Sequence, residues 1–212
     1  MKPLDLSYPL EADMPVWPGD PTVSLETVCT AETDGCRVTR LTLGSHTATH
    51  LDAPRHVLPG GSSLDELPPT RFAGQAVVAD CTGCGTVITA TDLEPALRLA
   101  GAADMLLLHT GRESLWGTPA YFTDYPVLER AAVRQILTGP WRLLGMDTPS
   151  PDAPDDGELS NHRALLMAGV LILENLRGLS QLPAGPFPFF ALPLLWAGAD
   201  GAPVHAVAML EE

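Results

Sequence analysis

The chain has 212 residues, 45% of them hydrophobic, which suits one domain with a sizeable core. Twelve Lys and Arg against 26 Asp and Glu leave a formal charge of -14, which repels phosphate backbones and anionic lipid and argues against nucleic-acid or membrane partners. Met1-Lys2-Pro3-Leu4-Asp5 has no cationic head followed by an apolar run, and no stretch of about 18 apolar residues follows, so a cytoplasmic protein of one domain over 1–212 is expected.

The 21 prolines and 19 glycines are scattered as punctuation, which implies many short elements. Residues 37–43 alternate apolar and polar side chains and read as a half-buried strand leading to His46, and 75–80 reads as a second strand. Thr91, with Glu94 three residues on, looks like a helix N-cap, and Gly101 like a stop, giving a helix over about 92–100. A buried strand is expected at 105–108, a helix from Pro126 to Leu137 and a strand at 141–146. Residues 149–157 are rich in Pro, Asp and Gly and read as a surface loop, with Asp147 and Asp152 as turn residues. Ser160 reads as an N-cap and Gly169 as a stop, followed by a strand over 170–173 and apolar runs at 189–195 and 203–209. The sum is an α/β domain with a mixed sheet and flanking helices.

Cys81 and Cys84 form a CxxC without a second ligand pair, and a chain with its own core has no need of disulfide staples, so reduced thiols are expected. Chemistry concentrates instead in His46-Thr47-Ala48-Thr49-His50-Leu51-Asp52-Ala53-Pro54-Arg55-His56, which holds three of the six histidines. A continuous strand would separate His46 and His50 by about 13 Å, whereas one helical turn brings them to about 6 Å, so a turn of helix or tight coil is expected there. A regular helix would then point Asp52 away, so it must break before Pro54. Two imidazoles and a carboxylate with an open position suit Zn, Mn or Fe, and an ion held there would lower the pKa of a bound water. His56 suits a general base or proton shuttle. Farther on, a short helix and a strand reversing at Gly169 would bring His162 next to Glu174, whose place at the end of an apolar run calls for a partner. His109 and His205 read as packing or hydrogen-bonded residues.

This segment resembles the HxGTHxDxPxH signature of the cyclase-like metal hydrolases, the group containing bacterial kynurenine formamidase (arylformamidase) and isatin hydrolase. Pro15-Val16-Trp17-Pro18-Gly19-Asp20, Asp147-Thr148-Pro149-Ser150, His162 with Glu174 in Glu-Asn-Leu, and Gly201-Ala202-Pro203-Val204 resemble further elements of that family, so the likeness spans nearly the whole chain. It implies a compact fold of the swivelling β/β/α type, a homodimer or higher oligomer, and one or two divalent ions, zinc first and manganese second. By position, His46, His50 and Asp52 would bind the first ion, while His162 and Glu174 would complete a second or share the first. His56 would be the catalytic histidine and Trp17 would stack on an aryl substrate. Ala48 departs from the signature glycine, a change that fits only if the backbone there does not need positive φ.

The activity this implies is hydrolysis of a small amide, an aryl formamide of the N-formylkynurenine type in tryptophan catabolism. Opening of a cyclic amide or lactone, as in isatin hydrolase, keeps the same site. A non-catalytic metal or small-molecule binding protein would use the same residues in a closed coordination sphere.

Overall fold

A computed structural model describes residues 1–211. In chain order its elements are β1 (Lys2–Asp5), β2 (Ser24–Cys29), α1 (Ala31–Asp34), β3 (Val38–Thr42), β4 (His50–Asp52), β5 (Ala73–Asp80), β6 (Val87–Ile88), α2 (Ala90–Leu97), β7 (Met105–His109), β8 (Val127–Leu128), α3 (Arg130–Ile136), β9 (Leu143–Met146), α4 (Ser160–Met167), β10 (Leu171–Glu174), β11 (Phe187–Pro193) and β12 (Gly201–Leu210). The main sheet runs β1-β12-β11-β5-β7-β9-β10-β4, and β4 also pairs with β12. That last pairing bends the sheet round on itself into a barrel-like layer.

Strands β5, β7, β9 and β10 are parallel, each joined to the next through a helix packed on the outside. Their sequences are near-continuous apolar runs because both faces are covered. Alternation then divides each strand between two cores. Met105 and Leu107 point into the closed interior with Leu51, Leu173 and Phe189, while Leu106 and Leu108 face the helices with Leu93, Ile136 and Leu165. Gly145 on β9 is fixed by crowding, since a Cβ there would sit 2.5 Å from Leu107 Cδ2.

Several boundaries differ from the sequence reading. The stretch expected over 37–43 is a strand, but β3 is exposed along its length and pairs only with β2 in a separate two-stranded ribbon. Its Val and Thr side chains suit a strand even without a core to face. Helix α2 starts two residues early, because Thr89 and Asp92 form the capping box. The helix expected from Pro126 is split: 127–128 pairs in parallel with β6, and α3 begins only after Glu129. Ser160 is the first residue of α4 and not its cap, the cap position being Leu159 in a left-handed conformation. The reversal expected at Gly169 is present, with φ +80°.

Candidate metal centre

Strand β4 gives the site its geometry. Leu51 is fully buried in the barrel interior, so alternation sends His50 and Asp52 together to the outer face. Of the helical turn or tight coil expected over 46–50, the tight coil is present and a turn of helix broken before Pro54 is not. Residues 46–49 form an irregular bend in which Ala48 has φ +57°, and His50 already lies in a strand. Positive φ at an alanine costs roughly 1 kcal/mol or more. Two bonds to its carbonyl hold it: Asn175 Nδ2 donates at 2.8 Å and His50 Nδ1 at 2.9 Å.

Antiparallel pairing sets Glu174 opposite His50 and Ile172 opposite Asp52, and α4 brings His162 over the same face. Four buried side chains thus surround one point. His50 Nε2 lies 3.3 Å from Asp52 Oδ1 and 3.4 Å from Glu174 Oε2, and His162 Nε2 lies 3.3 Å from both Asp52 Oδ2 and Glu174 Oε1. Asp52 Oδ2 and Glu174 Oε1 are nevertheless buried without a hydrogen-bond partner among the described residues. The far ring nitrogens are occupied, His50 Nδ1 by the Ala48 carbonyl and His162 Nδ1 by Asp152 Oδ2 at 2.6 Å. A neutral ring that donates at Nδ1 keeps its lone pair at Nε2, so both lone pairs and both orphaned oxygens point inward. Such a donor set fits a divalent cation with mixed N and O ligands.

Electrostatics make the same demand. Burial alone would lower His162, yet Asp152, Asp52 and Glu174 hold it well above the ordinary imidazole range. Burial and the nearby Asp52 push Glu174 up. The cage calls for positive charge, and either protons or a metal ion supply it.

His46 and His56 lie beside this cage, their ring centroids 3.9 Å apart. His46 Nδ1 is 2.7 Å from Asp52 Oδ1, and its Nε2 is 3.2 Å from Asp200 Oδ2, which also accepts from Ser45 Oγ. Burial opposes protonation, but Asp52 and Asp200 raise His46 to about 9. Burial and the neighbouring imidazoles push His56 down to about 4, against the pull of Asp52. Gly201 packs flat on the His46 ring, where a Cβ would fall 2.4 Å from Cε1. Donor atoms of His46, Asp52 and His56 lie within 4.8 Å of one another, as do those of His50, Asp52 and Glu174, so Asp52 belongs to both groups. All six sequence-derived polar residues are therefore brought together.

The site opens into a cavity of about 240 Å³ walled by Val16, Trp17, Trp116, Phe122 and Leu159. Trp17 meets Phe122 edge-on at 6.0 Å and Tyr125 at 6.4 Å. Phe122 sits on a 3-10 turn (Pro119–Phe122) whose carbonyls, with those just after it, are gathered by the Arg112 guanidinium.

Asp152 and Asp147, read from the sequence as turn residues, are fully buried structural acceptors. Asp152 takes the backbone N–H groups of Asn161 and His162 as well as the His162 ring, and Asp147 takes Thr110 and Gly111. Asp200 and Asn175 also hold the site, through His46 and the Ala48 carbonyl. Their only sequence signal is adjacency to Gly201 and Glu174. His205 is an exposed side chain on β12 against Asp5 at 3.3 Å, and His109 closes β7 away from the cage. Cys81 packs in the helix-side core, where burial pushes its thiol up to about 12, opposite to a reactive dithiol.

Comparison with known proteins gives the same picture. The kynurenine formamidase of Bacillus cytotoxicus is 34% identical over 206 residues, covering 96% of this chain and 95% of the relative. A solved potential metal-dependent hydrolase with cyclase activity superposes with a TM-score of 0.82 at 27% identity, covering 98% of this chain and 96% of that one. Isatin hydrolase A from Labrenzia aggregata, solved with benzyl benzoate, gives 0.87 at 25% identity over 100% and 94% of the two chains. With a family model matching residues 4–153, this chain belongs to the Cyclase family.

Proposed function

We propose that the chain is a metal-dependent hydrolase that cleaves the C–N bond of a small aryl amide, with an aryl formamide of the N-formylkynurenine type as its substrate. The observation that carries this reading is the inward-facing set of two Nε2 lone pairs and two orphaned carboxylate oxygens at the foot of an aromatic cavity. His46, His50, Asp52, His162 and Glu174 would hold one or two divalent ions, zinc first and manganese second, with Asp52 common to both groups. When bound, the ion supplies Lewis acidity, polarising the scissile carbonyl and making a water molecule more acidic.

The chain's own residues supply the rest. Trp17 and Phe122 hold the aryl ring and exclude water from the apolar wall. Asp152 and the Ala48 carbonyl keep the His162 and His50 rings from turning. His56, beside His46 and facing the cavity, takes the proton from the attacking water and returns it to the leaving amine as the C–N bond breaks. The family likeness also supports a homodimer or higher oligomer working in the cytoplasm. Among the described residues, no helix is long and apolar enough to cross a membrane.

The TM-score of 0.87 to isatin hydrolase A favours a second reading, opening of a cyclic amide in the same site. One experiment tests both. Metal content is measured on purified protein, and zinc- and manganese-loaded samples are assayed on N-formylkynurenine, isatin and a lactone. Formamidase turnover lost in His56→Ala is the expected result. Preference for isatin selects the second reading, and bound metal without turnover on any of the three sinks both.

A further inference from the structure

Trp17, Pro18, Gly19 and Asp20 form a tight turn. Proline stands at its second position, Gly19 has φ +101° at its third, and the Asp20 N–H donates to the Trp17 carbonyl at 2.9 Å. These are the marks of a type II turn, which keeps its first and last Cα within about 7 Å. Trp17 and Asp20 both line the cavity, so one turn delivers an aromatic and an acidic residue to it. Among the described residues three carboxylates line the cavity: Asp52 and Glu174 lie buried on its floor among imidazoles, whereas Asp20 is exposed at its mouth. No lysine or arginine among the described residues lines the cavity. From floor to mouth the order is cation cage, aromatic wall, exposed anion.

We propose that Asp20 is a specificity-determining residue that binds an ammonium group on the side chain of the aryl substrate, the ring lying against Trp17 with its amide at the cage. This rests on the aryl formamide reading and assigns one residue of the chain to the ammonium that a substrate of the N-formylkynurenine type carries on its ring side chain. A carboxylate on the same tail finds no cation in the cavity and stays in solvent. The chain's charge of -14 favours the approach of a cationic group. A hydrogen-bonded charge pair at an exposed mouth is worth about 1 kcal/mol, or roughly fivefold in affinity.

The test compares two formanilides that differ in one group: an ortho aminoalkyl side chain, cationic at pH 7, and the same side chain N-acetylated and neutral. Metal-loaded wild type is expected to favour the cationic compound by about fivefold in kcat/KM, mostly through KM. In Asp20→Asn the preference should fall to within about twofold, and in Asp20→Lys it should reverse. Equal values for the pair in wild type, or an unchanged ratio in Asp20→Asn, overturn the assignment. Calorimetry with the two aniline products separates this failure from that of the formamide reading. Tighter binding of the cationic product, lost in Asp20→Asn, keeps the ammonium site even if no formamide is cleaved. Equal affinities remove it.

Discussion

His162 presents Nε2 to the cage only because Asp152 holds Nδ1, at 2.6 Å and out of solvent. Asp200 holds the far nitrogen of His46 more loosely, at 3.2 Å and with its side chain 37% exposed. The two carboxylates should therefore differ in weight. Asp152→Asn is expected to weaken metal binding about 10- to 100-fold and Asp200→Asn less than about tenfold, as read by competition with a chromogenic chelator. A larger effect from Asp200→Asn would reverse this order of importance. Ala48 offers a sharper case. Glycine there relieves the positive φ but gives up a buried methyl group and loosens the unfolded chain, so Ala48→Gly should change stability by less than about 1 kcal/mol. Ala48→Val, branched at Cβ in the same backbone, should cost more than about 2 kcal/mol in denaturant unfolding. The departure from the signature glycine was visible in the sequence, but its consequence was not. Only the structure shows that the backbone keeps the glycine conformation with alanine in place. Asp152 and Asp200 were illegible for a related reason: each acts on a histidine 10 or 154 residues away, and nothing in their own neighbourhood marks it.

At the scale of elements, the spacing of His46, His50 and Asp52 was legible as a convergence of side chains, and of the helical turn or tight coil it suggested for 46–50 the chain uses the coil. A gap of four residues suits one turn of helix, and a gap of two suits one face of a strand; the chain uses a bend for the first and a strand for the second. What decided between them is Leu51, whose apolar side chain belongs to the barrel interior. The runs at β7, β9 and β10 were legible because burial on both faces leaves no polar interruption. Helix starts were less so, since Thr89 and Thr91 are both plausible caps and only the reciprocal bonds of Thr89 and Asp92 separate them. Thr89→Ala should cost about 1 kcal/mol in thermal unfolding, and Thr91→Ala much less. On β9, Gly145→Ala forces a methyl to within 2.5 Å of Leu107 and 2.9 Å of Leu176, so a loss of about 1–3 kcal/mol is expected.

For the molecule as a whole, the cage concentrates negative charge on the outer face of the barrel. Removing the ion should leave Asp52 and Glu174 dependent on protonated imidazoles. At free ion about 100-fold above its dissociation constant, binding adds about 2.7 kcal/mol, which in a chain of this size corresponds to a Tm some 5–10 °C higher. Calorimetry with and without chelator checks this, and an unchanged Tm would show that the cage takes no ion. The overall class, an α/β domain with mixed sheet and outer helices, was legible from the alternation of apolar runs and helical stretches. Closure of the sheet was not, because it depends on β12 meeting β4 across the 148 residues of chain between Asp52 and Gly201, a pairing with no local cause.

That closure has a bearing on ion choice. Strand β4 is only three residues long, yet it is hydrogen-bonded to β10 on one side and β12 on the other, so it has no free edge along which to drift. Its amides should exchange with deuterium among the slowest in the chain and those of the β2–β3 ribbon among the fastest. A cage carried on such a seam has its dimensions set before any ion arrives. Discrimination between ions then falls to fixed radius and coordination number, with little scope for the protein to adapt around a misfit.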